Sequence, residues 1–193
     1  RAYLEAGAGT LPTHTARARR IGQGKVRPEN MACATAHAGA RIACESIAEY
    51  NDDILQCKTG KLGQTLERKY VAGVMGPAED SADVGFRELV DAYSEVVRGL
   101  LDGNADILLL DSFRNLLNVK AALHAVFKVC SERQELVPVM VSGEIAEAGA
   151  GSLAGLTARA LQHTVSSFPV FSIGLSAGEN ACDLHDLLKE IEN

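Results

Sequence analysis

Four apolar runs set the terms for any fold of this chain. They are YVAGVMGP (Tyr70 to Pro77), ADILLLDS (Ala105 to Ser112), VPVMVSGE (Val137 to Glu144) and PVFSIGLS (Pro169 to Ser176). The first three do not alternate apolar with polar residues, the fourth is interrupted only by the small residues Ser172, Gly174 and Ser176, and a helical pattern follows each. A strand without alternation is buried on both faces, so strand–helix succession implies a parallel sheet flanked by helices. A weaker run, GAGTLPTHT (Gly7 to Thr15), precedes them; its Gly9 and Pro12 are poor strand residues.

Between the runs the apolar period changes to about 3.6. In FRELVDAYSEVVRGLLDG, Phe86, Leu89, Val90, Tyr93, Val96, Val97, Leu100 and Leu101 share one face, and Gly103 marks the stop. Leu116 to Cys130 and Asp183 to Ile191 behave similarly, and Pro28 to Ile54 reads as largely helical. Two architectures fit: an open doubly wound sheet or a barrel of strand–helix units. No glycine-rich dinucleotide fingerprint or P-loop follows any strand, which weakens the nucleotide-binding open sheets. Strands that end in polar residues favour the (β/α)8 TIM-barrel type, whose sites lie at those ends. About five units are recognisable where eight are needed, so the expectation is a partial barrel, one domain over 1–193, incomplete at both ends.

The 193 residues suit one domain. A net charge of −6 disfavours nucleic acid as a partner. The basic stretch RARRIGQGKVR (Arg17 to Arg27) is the exception and reads as a solvated loop. No apolar run reaches the ~18 residues of a membrane span, and no signal peptide opens the chain. Five cysteines without a CxxC pair suit a reducing, cytoplasmic setting better than a disulfide scaffold or zinc ribbon.

On a barrel, the strand ends pool Thr13, His14 and Thr15 with Gly76 and Pro77, Asp111 and Ser112, Ser142, Gly143 and Glu144, and Ser176. Two carboxylates, an imidazole and several hydroxyls suit a small zwitterion: acids take the ammonium, while hydroxyls and backbone N–H groups take the carboxylate. Thr13, His14, Asp111, Ser142 and Gly143 are the candidate substrate-binding residues, and no catalytic residue is singled out. Each has a plainer alternative. Asp111 reads equally as a helix N-cap, Glu144 and His14 as loop residues, and Ser142-Gly143 as a tight turn. Lys120 suggests Schiff-base chemistry but sits in a helical pattern, where a solvated lysine is the simpler reading. Asn118 reads as a cap within the same turn, and Cys33, Cys44 and Cys130 as small core residues.

The ordered pieces RAYLEAGAGTLPTHT, KYVAGVMGP, LLDGNADILLLDSFRNLLNVKAAL, PVMVSGEIAEAGAGSLAGLT and IGLSAG resemble the homocysteine-binding domain of cobalamin-dependent methionine synthase, that is, the homocysteine S-methyltransferase family. The resemblance implies a barrel of eight strand–helix units and zinc held by three cysteine thiolates. It also implies homocysteine as substrate, activated as a zinc-bound thiolate, and a methyl group from methylcobalamin on another domain. Cobalamin- and folate-binding domains are the implied partners, and methionine biosynthesis the implied setting.

The departures from the family pattern are specific. Where the family reads Glu-Thr-Asn-Thr-Phe this chain has Pro12, Thr13, His14, Thr15 and Ala16; Glu-Thr becomes Asp111-Ser112, and Ser-Gly-Thr becomes Ser142-Gly143-Glu144. Gly-Leu-Asn-Cys, which carries the first zinc thiolate, becomes Gly174-Leu175-Ser176-Ala177, and the later Gly-Gly-Cys-Cys is absent. The expected metal set is therefore none, with Cys182 and His185 as a two-ligand substitute at i, i+3. Two readings follow: a methyltransferase domain of divergent or incomplete sequence, its activity in this form left open, or a non-catalytic relic or fragment serving as a binding module. An arc of five units leaves open sheet edges, which favour self-association. A metal-free lyase built on Asp111 has no motif behind it.

Overall fold

The computed structural model of the chain describes residues 1–18, 21–22, 25–26, 31–56, 67–78, 84–145 and 157–177. Helix α1 (Ala2–Glu5) leads into β1 (Thr10–Pro12), and a small ribbon, β2 (Ile21–Gly22) and β3 (Lys25–Val26), precedes α2 (Met31–Leu55). Strands and helices then alternate: β4 (Tyr70–Met75), α3 (Phe86–Asp102), β5 (Ile107–Phe113), α4 (Leu116–Arg133), β6 (Val139–Ile145), α5 (Ala158–Val165) and β7 (Ser172–Ala177).

The main sheet has five strands in the order β1-β4-β5-β6-β7, and every neighbouring pair is parallel. Each crossover therefore steps to the next strand in the same direction. Right-handed crossovers made in one direction place all the helices on one face, whereas a doubly wound sheet reverses at a switch point. The fold is accordingly an arc of a (β/α) barrel.

The register separates two faces. A Cβ on Gly73 would lie 3.0 Å from Leu100 of α3, so Gly73 and its partner Leu108 face the helices. Leu110, Val139 and Val141 share that face and are buried. The alternate residues Ala72, Val74, Ile107, Leu109 and Met140 form the inner, barrel-interior face.

The four long runs appear as strands within a few residues of their expected limits, and α3 and α4 start where the apolar period changes. The first run keeps only three strand residues, at an outer position of the sheet. Thr13 donates to Ala72 O of β4 (2.9 Å), so by alternation the nitrogen of Pro12 faces away from the ladder, where a missing N–H breaks no rung. The basic stretch is not wholly loop, because β2 and β3 pair antiparallel within it. Helix α5 is the helical segment expected after the Val137–Glu144 run, whose bounds the apolar pattern did not set; it is capped by Thr157 accepting from Ala160 N at 3.2 Å. The expected helix at Asp183 to Ile191 lies outside the described residues.

Close approach of α2 and α3 closes the helix layer. Ala32, Ala36, Ala40 and Ala43 of α2 are buried in a stripe at near-helical spacing. A Cβ at Gly99 would collide with the Cys33 carbonyl oxygen and lie 2.9 Å from Ala36 Cβ; at Gly103 it would lie 2.5 Å from Ala40 Cβ. Gly99→Ala should therefore destabilise the protein by about 1–3 kcal/mol, because the backbone clash outweighs the ~1 kcal/mol of helix propensity gained. Gly85→Ala, with open space around its Cβ position, is the control. Urea unfolding of the two variants checks the ordering, and an unchanged midpoint for Gly99→Ala would contradict it.

Candidate functional site

All five parallel strands end on one side, and the polar residues gather at that C-terminal rim. The local chain geometry of β5 decides which of them face inward. Leu110 pairs with Val141, but the next partners are Phe113 and Gly143, so β5 spends one more residue than β6. The extra residue is accommodated by Ser112, whose φ of 58° lies in the left-handed region. The bulge keeps Phe113 on the helix face, fully buried with its ring 6.0 Å from that of Tyr93. Asp111 and Ser112 together then occupy the place opposite Ser142, half-buried at the rim.

The structure separates Asp111 from its alternative as a helix cap. Asn115 caps α4, its side chain accepting from Leu117 N at 2.7 Å, while Asp111 lies inside β5. On β6, Ser142 pairs with Gly174 and Glu144 with Ser176, which puts Ser142 and Glu144 on the inner face. Glu144 is an ion-pair acceptor rather than a plain loop residue: Arg114, just past β5, donates to its Oε1 at 2.6 Å. Ser142 and Gly143 belong to the regular part of β6 and form no tight turn. Arg114 escaped the sequence reading because the bulge that turns Phe113 outward and Arg114 toward β6 leaves no mark in apolar periodicity.

Thr13 and Thr15 are turned toward the helix layer and serve the β1–β4 junction. Val74 N donates to Thr13 Oγ1 (2.8 Å), and Thr15 Oγ1 donates to Val74 O (2.7 Å). With that proton committed, the 2.6 Å Thr13–Thr15 contact has Thr13 as donor. The hydroxyls take positions that backbone groups would fill in a longer parallel ladder, extending the pairing past the strand end. Both threonines are buried, with Thr15 under Gly39 of α2. His14 between them is exposed.

A second buried connection fixes the loop after β4. Ala78 N donates to Tyr93 Oη (2.7 Å), and Tyr93 donates to Asn118 Oδ1 (2.8 Å). Asn118 is thus no helix cap: it reaches across from α4 to α3, and through Tyr93 it ties the Gly76-Pro77-Ala78 segment at the rim. Lys120 is exposed on α4, away from the inner face.

The rim does not fit a zinc ion with the residues described. Among them no three His, Cys, Asp or Glu side chains come together as a metal site. Cys33 and Cys44 belong to α2 and Cys130 to α4, all in the helix layer. Burial is the main cause that pushes each thiol above the ordinary 9.0, with nearby carboxylates adding to it. Cys44 Sγ lies 3.4 Å from Asn104 O, and Cys130 is buried, as expected of small packing residues. Cys182 and His185 lie outside the described residues.

The geometry defines an α/β-barrel domain with a polar, charge-bearing C-terminal rim. The family model described as Homocysteine S-methyltransferase matches residues 1–193, and the chain belongs to that family. Among solved structures it is similar to the apo form of the homocysteine methyltransferase MmuM from Escherichia coli, with 18% identity and a TM-score of 0.64. That match covers 90% of this chain and 57% of the other, so this chain spans little more than half the length of that enzyme. The oxidised form of the same enzyme matches with 16% identity and a TM-score of 0.56, over 97% of this chain and 81% of that one. At such identities the likeness speaks for the fold. Among the described residues no helix is long and apolar enough to cross a membrane.

Two outcomes follow from these contacts. Thr15→Val keeps the shape but strips the donor from Val74 O and the acceptor from Thr13, leaving buried groups unmatched. It should lower unfolding stability by about 1–3 kcal/mol, measured in urea. Because a raised thiol pKa delays thiolate formation until the pH climbs past the ordinary range, iodoacetamide at about pH 8 should label Cys33, Cys44 and Cys130 far more slowly in the folded protein than in urea. Peptide mass spectrometry reads the rates, and equal rates would contradict the burial.

Proposed function

We propose that the rim binds homocysteine and that the chain forms the substrate-binding part of a homocysteine S-methyltransferase of methionine synthase type, acting in methionine biosynthesis in the cytoplasm. The observation that carries this reading is the family match over the full 1–193, together with an acid and a hydroxyl on neighbouring strand ends. Asp111 would take the ammonium group, and the Ser142 hydroxyl with the backbone at Gly143 would take polar atoms of the carboxylate. The segment that follows β1 would border the same pocket through the exposed His14 and through the backbone, not the engaged hydroxyl, of Thr13. In the reaction a sulfur–methyl bond forms as the bond between methyl and donor breaks, and the thiol proton leaves. Zinc would supply the thiolate, but the described residues do not fit it, so no step is assigned to a metal here. Methylcobalamin on a partner domain, next to a folate-binding domain, is the proposed source of the methyl group.

The same misfit favours a second reading, in which the chain is a binding module without methyl transfer, free to associate through its outer strands β1 and β7. Calorimetric titration with homocysteine, alongside metal analysis, separates the two. The methyltransferase reading expects homocysteine binding that Asp111→Asn weakens by about 10–100-fold, the worth of a hydrogen bond to a charged group. No homocysteine binding and no stoichiometric zinc would leave only the module. Zinc retained in a homocysteine-dependent way and lost in Cys182→Ala would place a metal site among residues outside those described.

A further inference from the structure

We propose that Arg114 determines specificity at the rim by receiving the α-carboxylate of the substrate, with Glu144 as the residue that positions it. The proposal rests on the reading of the rim as a homocysteine site and names the group that anchors the end of the molecule remote from sulfur.

Four observations converge on Arg114. Its guanidinium crosses from the end of β5 to β6 and donates to Glu144 Oε1 at 2.6 Å, so its head lies beside the C-terminal end of β6. Its side chain is 73% exposed while that of Glu144 is 26% exposed, so the acid is the fixed member and the cation the accessible one. Glu144 stands two residues beyond Ser142 on the inner face, and Asp111 occupies the bulge opposite Ser142. Among the described residues the other cross-element pairs within 3.2 Å lie elsewhere: Arg98–Glu132, Lys128–Asp91 and Arg133–Asp102 join α3 to α4, and Arg1–Asp53 ties the residue before α1 to the C-terminal end of α2.

The chemistry then assigns the partner. An exposed ion pair contributes little to stability, of order 0–1 kcal/mol, so stability is a weak account of this one. A guanidinium presents five donors in a planar fork and matches a carboxylate with two parallel bonds. Contact with Glu144 along one side orients that fork and leaves its charge compensated before any ligand arrives. An α-amino acid carries ammonium and carboxylate on one carbon, so it needs an acid and a cation close together. Asp111 on β5 and Arg114 held against Glu144 of β6 put an acid and a cation on neighbouring strand ends. The ligand class is therefore a free α-amino acid, recognised at its carboxylate.

Homocysteine and its decarboxylated counterpart, 3-aminopropane-1-thiol, test this directly by calorimetry on the full chain. Arg114→Gln should weaken homocysteine by about 10–100-fold and leave the amino thiol unchanged, and Arg114→Lys should restore part of the loss. Glu144→Gln should give a smaller loss, again confined to homocysteine. Because Arg114 is exposed, its variants should unfold at the wild-type urea midpoint. Homocysteine binding that persists in Arg114→Gln, or a loss shared equally by both ligands, would overturn the assignment while leaving the homocysteine site in place. A folded wild-type chain that binds no homocysteine would overturn the site itself, and this assignment with it.

Discussion

Parallel strands laid side by side in chain order can be covered by crossover helices on one face only, and everything else in this molecule follows from that constraint. The covered face must be dry, so Leu108, Leu110, Val139 and Val141 are buried against the helices. The helices must lie close, so α2 and α3 meet through alanine and glycine, with Gly99 almost on the backbone of α2. The uncovered face becomes the interior of a barrel arc, and every strand delivers its C-terminal end to the same rim. Polar residues scattered along the chain, from His14 to Ser176, are thereby brought to one side of the sheet.

Three local devices tune that rim. The bulge at Asp111-Ser112 lets β5 present two polar residues inward without turning Phe113 away from the core. The Thr13–Thr15–Val74 hydrogen bonds extend the β1–β4 pairing beyond the point where backbone rungs stop. Tyr93 and Asn118 do the corresponding work for the segment after β4, from the helix side. Each spends a buried polar group where an apolar one would have packed, and a buried polar network that is satisfied favours one arrangement over its neighbours. Among the described residues no three His, Cys, Asp or Glu side chains gather as a metal site within this frame.

The large elements were legible in the sequence because their signals are physical and local. Unbroken apolar runs mark the strands, although the inner face is not fully covered: Ile107 and Leu109 of β5 are only half-buried; the change to a 3.6 period marks α3 and α4. Gly103 ends α3 as read. The family, too, was legible from five ordered pieces. What stayed hidden depends on register and side-chain reach. Nothing in LLLDSFRN announces a bulge, so neither the left-handed Ser112 nor the Arg114–Glu144 pair was visible. Asn118 looked like a cap because its long-range partner, Tyr93, lies 25 residues away in sequence. The engagement of the Thr13 hydroxyl with Val74, 61 residues away, and with Thr15 was likewise not visible.

The central claim is that binding belongs to the rim and not to the helix layer. Backbone hydrogen exchange with and without homocysteine addresses it at peptide resolution. The account predicts added protection at residues 111–115 and 142–145, with α2 and α3 unchanged. Protection confined to the helices, or none at saturating homocysteine, would contradict it.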